Sequence, residues 1–179
     1  METILAPTAL RPGADEYAPF YAGYVARVPE GDVVATLERQ LDEVVRFFRD
    51  VPAEREGHRY APGKWSVREV AGHIADTERI MAYRALRIAR GDATPLPGFD
   101  ENAYVPPSGF DARPLASLAE EWAAVRRATL PLFRHLDAEG WARRGTASDA
   151  AVSVRALAHI IAGHAEHHLE VLRTRYLGD

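Results

Sequence analysis

The chain has 179 residues, of which 47% are hydrophobic and 27% charged, a length and composition typical of one soluble globular domain spanning residues 1–179. Its formal net charge of −4 leaves no basic excess, so we expect no nucleic-acid partner. The chain contains no cysteine, which excludes disulfides, thiolate metal ligands and a cysteine nucleophile. Any thiol chemistry would therefore need an external thiol.

The N-terminal segment lacks a basic stretch followed by an apolar run, and no apolar stretch approaches the ~18 residues that a membrane span requires. We therefore expect a cytoplasmic protein that does not enter membranes. The tract up to Pro29 is too aromatic for a disordered tail, and we expect it to pack across the rest of the fold. Its aromatic residues include Tyr17, Phe20, Tyr21 and Tyr24.

The first two long helices are predicted from apolar side chains that recur every three or four residues. The first runs from Asp32 to Asp50, and Pro52 follows its end. The second begins at Ser66, where the letters SVRE form a capping box, and it ends before Gly91.

The segment from Gly91 to Arg113 contains four prolines and three glycines, which predicts an irregular connector of a length that is often functional. A third helix is predicted from Pro114 to Leu136, with a bend at Pro131. A fourth helix is predicted from about residue 153 to residue 178. Because little else resembles a strand, these patterns indicate an all-α four-helix bundle, arranged up-down-down-up or in a related way.

The fourth predicted helix contains four of the chain's seven histidines. Its inward-facing apolar stripe includes Ile161 and continues at His164 and His168. At about 100° per residue, these two histidines lie about 40° apart on successive turns, so their rings can converge on one point. His167 is one position away and remains an alternative ligand, whereas His159 lies on roughly the opposite side.

Buried imidazoles are costly unless their ring nitrogens find partners. A divalent cation that bound one nitrogen of each ring would satisfy both, and such a site usually needs a third ligand from a facing helix. His73, near the inner stripe of the second helix, is the candidate. The alternative is that these histidines are core residues with ordinary hydrogen-bond partners, and the spacing fits both interpretations. We assign no role to His58 or His135.

Three segments together resemble the DinB/YfiT-like superfamily of damage-inducible four-helix proteins. They are YAPGKWSVREVAGHIADTERIMAYRALRIARGD, LPGFDENAYV and HIIAGHAEHH, and with the aromatic N-terminal tract the resemblance covers most of the chain. It implies a four-helix bundle with that tract packed on it, and one divalent metal ion, usually nickel or zinc, bound by three histidines. The matching positions are His73, His164 and His168. A homodimer is also expected from similar proteins.

Similar proteins include bacillithiol S-transferases, domains of mycothiol-dependent enzymes and metal-dependent hydrolases. The leading hypothesis is therefore a divalent-metal-dependent enzyme that activates a low-molecular-weight thiol, resembling bacillithiol, for S-transfer to a small-molecule electrophile. One alternative is a hydrolase that uses water activated by the metal. Another is a metal-binding stress-response module without catalysis. Three neutral histidines leave an open coordination position on the metal, which is typical of catalytic sites. This ligand set does not determine whether the activated nucleophile is a thiol or water.

Further candidates follow from their positions near the predicted ligands. Asp76, about 60° from His73 around the helix, could orient its ring. Asp100 and Glu101 in the connector could form a substrate-facing wall over the metal, or be solvated loop charges. Trp65 is interpreted as a packing residue that precedes the capping box.

Two arginines of the second helix, Arg84 and Arg87, could bind a carboxylate of a thiol cofactor. Solvated side chains are the favoured interpretation of this pair.

Overall fold

The computed structural model describes residues 11–178, so the first ten residues of the N-terminal tract and Asp179 lie outside the description. Within this range, the seven α-helices α1 to α7 are Ala22–Arg27, Val33–Asp50, Val67–Ala89, Glu101–Ser108, Leu115–Arg134, Ala138–Ala142 and Val154–Val171. An antiparallel hairpin, β1 (Arg144–Ala147) and β2 (Ala150–Ser153), precedes α7, and a π-helix at Leu172–Leu177 follows it. None of the described helices combines the length and apolarity that a membrane span requires.

The four long helices α2, α3, α5 and α7 form the predicted four-helix bundle. Helix α3 packs against α5 and α7, and α2 packs against the same two helices. Helices α2 and α3 therefore lie at opposite corners, so the chain crosses a diagonal between two consecutive long helices. This order brings α3 and α7, the two histidine-bearing helices, side by side.

Side-chain caps define where three of the long helices begin, and the one at Ser66 is the predicted capping box. Asp32 accepts a hydrogen bond from the backbone of α2, and Ser66 and Glu69 form the capping box of α3. Ser153 accepts from the amide of Ala156 at the start of α7. These side chains satisfy backbone donors that have no partner within the helix. Helix α5 continues through its internal proline and ends two residues before the predicted boundary.

A polar layer crosses the core and joins the four long helices. Arg126 of α5 donates to both carboxylate oxygens of Glu78 in α3, at 2.7 and 2.9 Å, and to the carbonyl of Leu37 in α2 at 2.9 Å. Gln40 of α2 donates to the carbonyl of Ala162 in α7 at 2.9 Å. Along each helix these residues lie between two buried apolar clusters. The layer therefore links the helices by hydrogen bonds, and it reaches α7 two residues before His164.

The prediction of an irregular connector is wrong for residues 101–108, which form α4. The helix begins there because the Asp100 side chain accepts from the amides of Asn102 and Ala103, at 2.9 and 3.3 Å. It ends after one pair of prolines, at Gly109, whose φ of +66° is favourable for glycine. The acidic cap thus permits a short helix in a segment that is rich in helix-breaking residues.

The β-hairpin before α7 was not predicted from the sequence. Its two-residue turn, Ser148 and Asp149, has φ values of 51° and 60°, a conformation that glycine or asparagine usually signals. The connector joins this hairpin, because Leu96 donates to the carbonyl of Thr146 and accepts from the amide of Ser148. The hairpin and the connector therefore close one end of the bundle together.

The described part of the N-terminal tract packs on the bundle, as predicted. Helix α1 lies against α7 at Gly163, where an added Cβ would be 1.9 Å from the carbonyl oxygen of Tyr24. Only glycine permits this close approach. The contact holds the Tyr24 ring near the next residue of α7, His164.

Candidate metal centre

Three histidines from two helices converge at the interface of α3 and α7. His73 lies in the second turn of α3, and His164 and His168 lie on successive turns of α7. Nε2 of His164 is 3.0 Å from Nε2 of His73 and 3.1 Å from Nε2 of His168. One nitrogen from each ring lies within 4.8 Å of the other two. The structure thus brings together the three histidines that the sequence analysis selected.

The electrostatics of this cluster favour neutral rings. Burial lowers the pKa of His73 from 6.5 to about 4. Burial also holds the pKa values of His164 and His168 well below the usual range, and the neighbouring histidines lower both further. All three side chains are therefore neutral at pH 7, which is the form that binds metal ions.

Hydrogen bonds among the rings cannot satisfy the cluster. Nε2 of His164 carries either one hydrogen or one lone pair, so only one of its two Nε2 contacts can be a hydrogen bond. A cation bound by the unprotonated Nε2 atoms of all three rings would remove this conflict. With metal–nitrogen bonds of about 2.1 Å, neighbouring ligands are separated by about 3.0 to 3.4 Å, which matches the observed contacts. The donor set fits a divalent metal ion.

The outer nitrogen of His73 faces a residue that the sequence analysis did not select. Thr77 Oγ1 lies 3.5 Å from Nδ1 of His73, one turn further along α3. The expected partner, Asp76, instead accepts a hydrogen bond from Arg79 at 3.2 Å. The positions differ because Thr77 is four residues after His73 and shares its inward face, whereas Asp76 points toward α5. The i to i+4 spacing was the available signal for Thr77.

The three histidines open into a cavity of about 390 Å³, here called the histidine cavity. Most of its wall is aromatic or apolar, and the N-terminal tract, α3, the connector, the hairpin and α7 all contribute. The lining residues are Phe20, Tyr21, Tyr24, Trp65, His73, Thr77, Met81, Phe99, Glu101, Ser148, Ile160, His164 and His168. Trp65, interpreted as a packing residue, packs on His73 with ring centroids 4.6 Å apart and also faces this cavity.

The two acidic candidates of the connector have different positions. Glu101, in the first turn of α4, lines the histidine cavity, whereas Asp100 is exposed and caps the helix. Of the two residues, Glu101 therefore lies where the predicted substrate-facing wall would be, and Asp100 does not. Burial raises the pKa of Tyr24, and the nearby Glu101 carboxylate raises it further. Glu101 is the carboxylate that lines this cavity within the described residues.

A second cavity of about 340 Å³, here called the adjoining cavity, shares Trp65 and His168 with the histidine cavity. Its wall includes Tyr60, Lys64, Asn102, His167, Arg175 and Tyr176. His167 is half-buried, with its ring centroid 5.1 Å from that of His168, and it is not part of the three-nitrogen cluster. The alternative in which His167 is a ligand is therefore disfavoured by its position.

The remaining histidine and arginine candidates have other partners. His159 is buried on another side of α7, where Nδ1 lies 2.9 Å from the carbonyl oxygen of Arg155. Arg84 is buried, contrary to the solvated interpretation, and donates to the carbonyl of Pro97 at 2.6 Å and to Ser148 Oγ at 2.9 Å. Arg87 forms an ion pair with Asp92. Neither arginine lines the histidine cavity, so the expected contact with a cofactor carboxylate has no support there.

A larger, shallow groove of about 740 Å³ lies between α3 and α5. None of its lining residues lines the histidine cavity, and its wall is mainly apolar. The groove is therefore separate from the candidate metal site, which lies on the other face of α3.

Comparison with known proteins supports the fold. The chain is similar to the solved structure of YfiT from Bacillus subtilis, with 16% sequence identity and a TM-score of 0.70, over 94% of this chain and 98% of that chain. YfiT is described as a probable metal-dependent hydrolase with an unusual four-helix bundle topology. At this level of identity the likeness shows a common fold. No curated protein matches the chain significantly.

The family follows from the sequence itself. The DinB superfamily matches residues 36–172, which is more than half of the chain and runs from α2 to the beginning of the π-helix. This range includes the three converging histidines. The chain belongs to the DinB superfamily.

Proposed function

We propose that this protein is a divalent-metal-dependent enzyme in which His73, His164 and His168 bind the metal ion. The observation that carries the proposal is the convergence of three neutral, largely buried imidazoles whose Nε2 contacts cannot all be hydrogen bonds. Nickel and zinc are the first candidates, because imidazole ligands suit both. The metal-dependent description of YfiT agrees with this assignment.

A divalent cation held by three neutral ligands keeps its charge and an open position, so it lowers the pKa of a thiol or water that binds there. The chain supplies the rest of the chemistry. Glu101 accepts the proton that the nucleophile releases. Tyr24, Trp65 and Phe99 contact the apolar part of the substrate and exclude water from the histidine cavity.

Thiol transfer is the first of two candidate reactions, because the histidine cavity and the adjoining cavity meet at His168 and Trp65. Two compartments beside one nucleophile-activating centre suit a reaction with two substrates. The sulfur of a low-molecular-weight thiol attacks an electrophilic carbon, a carbon–sulfur bond forms, and the leaving group departs with the electron pair of its bond. The proton of the thiol passes to Glu101.

Hydrolysis is the second candidate, and the description of YfiT as a probable metal-dependent hydrolase favours it. In this case Glu101 takes a proton from water and the oxygen attacks an ester or amide carbonyl. The bond from the carbonyl carbon to the leaving group then breaks, and Glu101 returns the proton to the departing alcohol or amine. A stress-response module that binds metal without turnover is the non-catalytic alternative.

The metal site is tested first by the metal content of protein purified without an affinity tag, measured by plasma mass spectrometry. Near-stoichiometric nickel or zinc is expected in the wild type, and little in His73→Ala or in the double variant His164→Ala with His168→Ala. His135→Ala, which changes an exposed histidine outside the cluster, is the matched control and should retain the metal. A wild type that stays metal-free after incubation with nickel and zinc would contradict the proposal.

The reaction is tested on the metal-loaded protein with two assays. Conjugation of a thiol to a chlorinated nitroaromatic, lost in Glu101→Gln and in the histidine variants, supports thiol transfer. Cleavage of a nitrophenyl ester without added thiol supports hydrolysis. Bound metal with neither activity across a panel of thiols and esters supports the non-catalytic alternative.

A further inference from the structure

The adjoining cavity differs from the histidine cavity in its charge. Lys64, which is the single lysine of the sequence, and Arg175 both line the adjoining cavity. No aspartate or glutamate of the described residues lines it, whereas Glu101 lines the histidine cavity. The two cavities meet at His168. The histidine cavity has a carboxylate in its wall, and the adjoining cavity has two cationic side chains.

These two cations lack the carboxylate partners that most cations near the site have. Within residues 11–178, neither Lys64 nor Arg175 has a carboxylate oxygen within 4.0 Å. By contrast, Arg59 pairs with Glu69 and Asp111 nearby. Both unpaired cations instead lie near the ring of Tyr60, at 6.0 Å from the centroid for Lys64 Nζ and 5.7 Å for the Arg175 guanidinium carbon.

The wall that carries these cations is fixed by buried contacts. The hydroxyl of Tyr176 donates to the carbonyl of Trp65 at 2.8 Å, which joins the π-helix to the segment that contains Lys64. Tyr176 is buried, and its ring packs edge-on against Tyr60 with centroids 4.8 Å apart. The wider turn of a π-helix, a feature frequent at functional sites, presents Arg175 to the cavity next to this anchor.

We propose that the adjoining cavity is an anion subsite in which Lys64 and Arg175 bind a carboxylate or phosphate group of a substrate whose reactive end lies at His168. An anionic group would supply the charged partner that neither cation has among the described residues, and the planar guanidinium of Arg175 suits such oxyanions. The subsite selects the substrate by charge, while the histidine cavity takes its apolar partner or leaving group. Its link to His168 rests on the proposed function.

The test measures the dissociation constants of succinate, inorganic phosphate and the neutral analogue succinamide for the protein as purified, by calorimetry at fixed low salt. Succinate or phosphate should bind, and succinamide should not. Lys64→Gln and Arg175→Gln should each weaken binding about tenfold, the effect of losing one charge-assisted contact. The comparison of succinate with phosphate identifies the preferred anion.

Arg127→Gln is the matched control, because Arg127 is exposed, has no carboxylate partner within 4.0 Å in the described range and lines neither cavity. It should leave the dissociation constants within about twofold of the wild type. Equal weakening in Arg127→Gln and in the two cavity variants overturns the subsite. So does a wild type that binds neither anion at high millimolar concentration.

A second experiment separates this inference from the proposed function. The cobalt-loaded protein is titrated with mercaptosuccinate and with neutral 2-mercaptoethanol, and binding is followed by the visible spectrum of the metal. The preference for mercaptosuccinate should fall severalfold in Lys64→Gln and Arg175→Gln. An unchanged preference overturns the subsite and leaves thiol binding intact. If neither thiol perturbs the metal while succinate binding still depends on Lys64 and Arg175, thiol transfer fails and the subsite stands.

Discussion

At the scale of single residues, the candidate site depends on which nitrogen of each imidazole is free. His73 can present an unprotonated Nε2 to a metal only if Nδ1 carries the hydrogen, and a hydrogen-bond acceptor beside Nδ1 favours that tautomer. The hydroxyl of Thr77 is in this position, 3.5 Å away. We therefore expect Thr77 to accept a hydrogen bond from Nδ1 of His73 and so to favour the tautomer that binds a metal.

Replacement of Thr77 by valine tests this role, since valine has nearly the same shape but no acceptor. We expect Thr77→Val to weaken metal binding about tenfold, the range found for residues that orient a metal ligand. Thr77→Ser keeps the hydroxyl and should stay close to the wild type. Competition titration with a chromophoric chelator measures both affinities. Equal affinities for the valine and serine variants would show that the hydroxyl has no influence on His73.

The depressed histidine pKa values predict how the metal-free protein responds to acid. A histidine in the unfolded chain has a pKa of 6.5, whereas burial lowers the pKa of His73 to about 4. Between these values the unfolded state binds more protons, so the free energy of unfolding decreases as the pH falls from 6.5 to 4. Urea unfolding of the metal-free protein at several pH values measures this slope. His73→Gln should reduce it, and an unchanged slope would contradict the assigned burial effect.

At the scale of elements, the position of the aromatic tract depends on one close contact. Because an added Cβ at Gly163 would lie 1.9 Å from the Tyr24 carbonyl oxygen, Gly163→Ala forces α1 away from α7. We expect a loss of about 1–3 kcal/mol in the free energy of unfolding, as for overpacked cores. The Tyr24 ring should also leave His164, from which its centroid is now 5.4 Å away.

Gly23→Ala is the control for this change within the same pair of helices. Gly23 lies in α1, and an added Cβ there would meet nothing within 4 Å. Alanine has the higher helix propensity, so this variant should be as stable as the wild type or slightly more stable. Thermal unfolding compares the two variants. If both alanine variants were equally stable, the contact between α1 and α7 would not require glycine.

The elements also show how far sequence patterns reach. The long helices were predicted from amphipathic periodicity, and the capping box at Ser66 was predicted as well, because both are local signals. The short helix α4 and the hairpin were missed, since prolines obscure the first and the turn of the second has no glycine or asparagine. The hairpin also pairs with Leu96 of the connector, a contact with a distant segment that a local pattern does not contain.

The residues of the candidate site also divide into those that local sequence patterns indicate and those that only long-range contacts bring together. His73, His164 and His168 were predicted because helical spacing places them on or near inward faces, and because the resemblance to the DinB/YfiT-like superfamily matches its three ligands to these positions. Lys64 and Arg175 were not selected, because their segments are brought together by long-range contacts such as the hydrogen bond between Tyr176 and Trp65. Long-range hydrogen bonds of this kind help to decide which residues line a cavity, and the spacing of residues along the sequence does not reveal such bonds.

At the scale of the whole molecule, the polar layer of Arg126, Glu78 and Gln40 divides the core into two apolar clusters and touches all four long helices. A buried ion pair is seldom more stable than a well-packed apolar pair, because both charges lose their hydration. Its value here is alignment. We expect the layer to favour one axial position for each helix, and thereby to hold His73 on α3 opposite His164 on α7.

Two variants separate stability from alignment in this layer. Arg126→Met leaves the buried carboxylate of Glu78 unpaired, so we expect it to lower the free energy of unfolding by about 3–5 kcal/mol. Arg126→Met combined with Glu78→Met removes both charges and should recover most of this loss. If the layer aligns the helices, the double variant should nevertheless bind metal more weakly than the wild type. The reason is that α3 and α7 would no longer be held in register by the hydrogen bonds of the layer. Urea unfolding and chelator competition measure the two quantities, and wild-type metal affinity in a stable double variant would show that apolar packing alone sets the alignment.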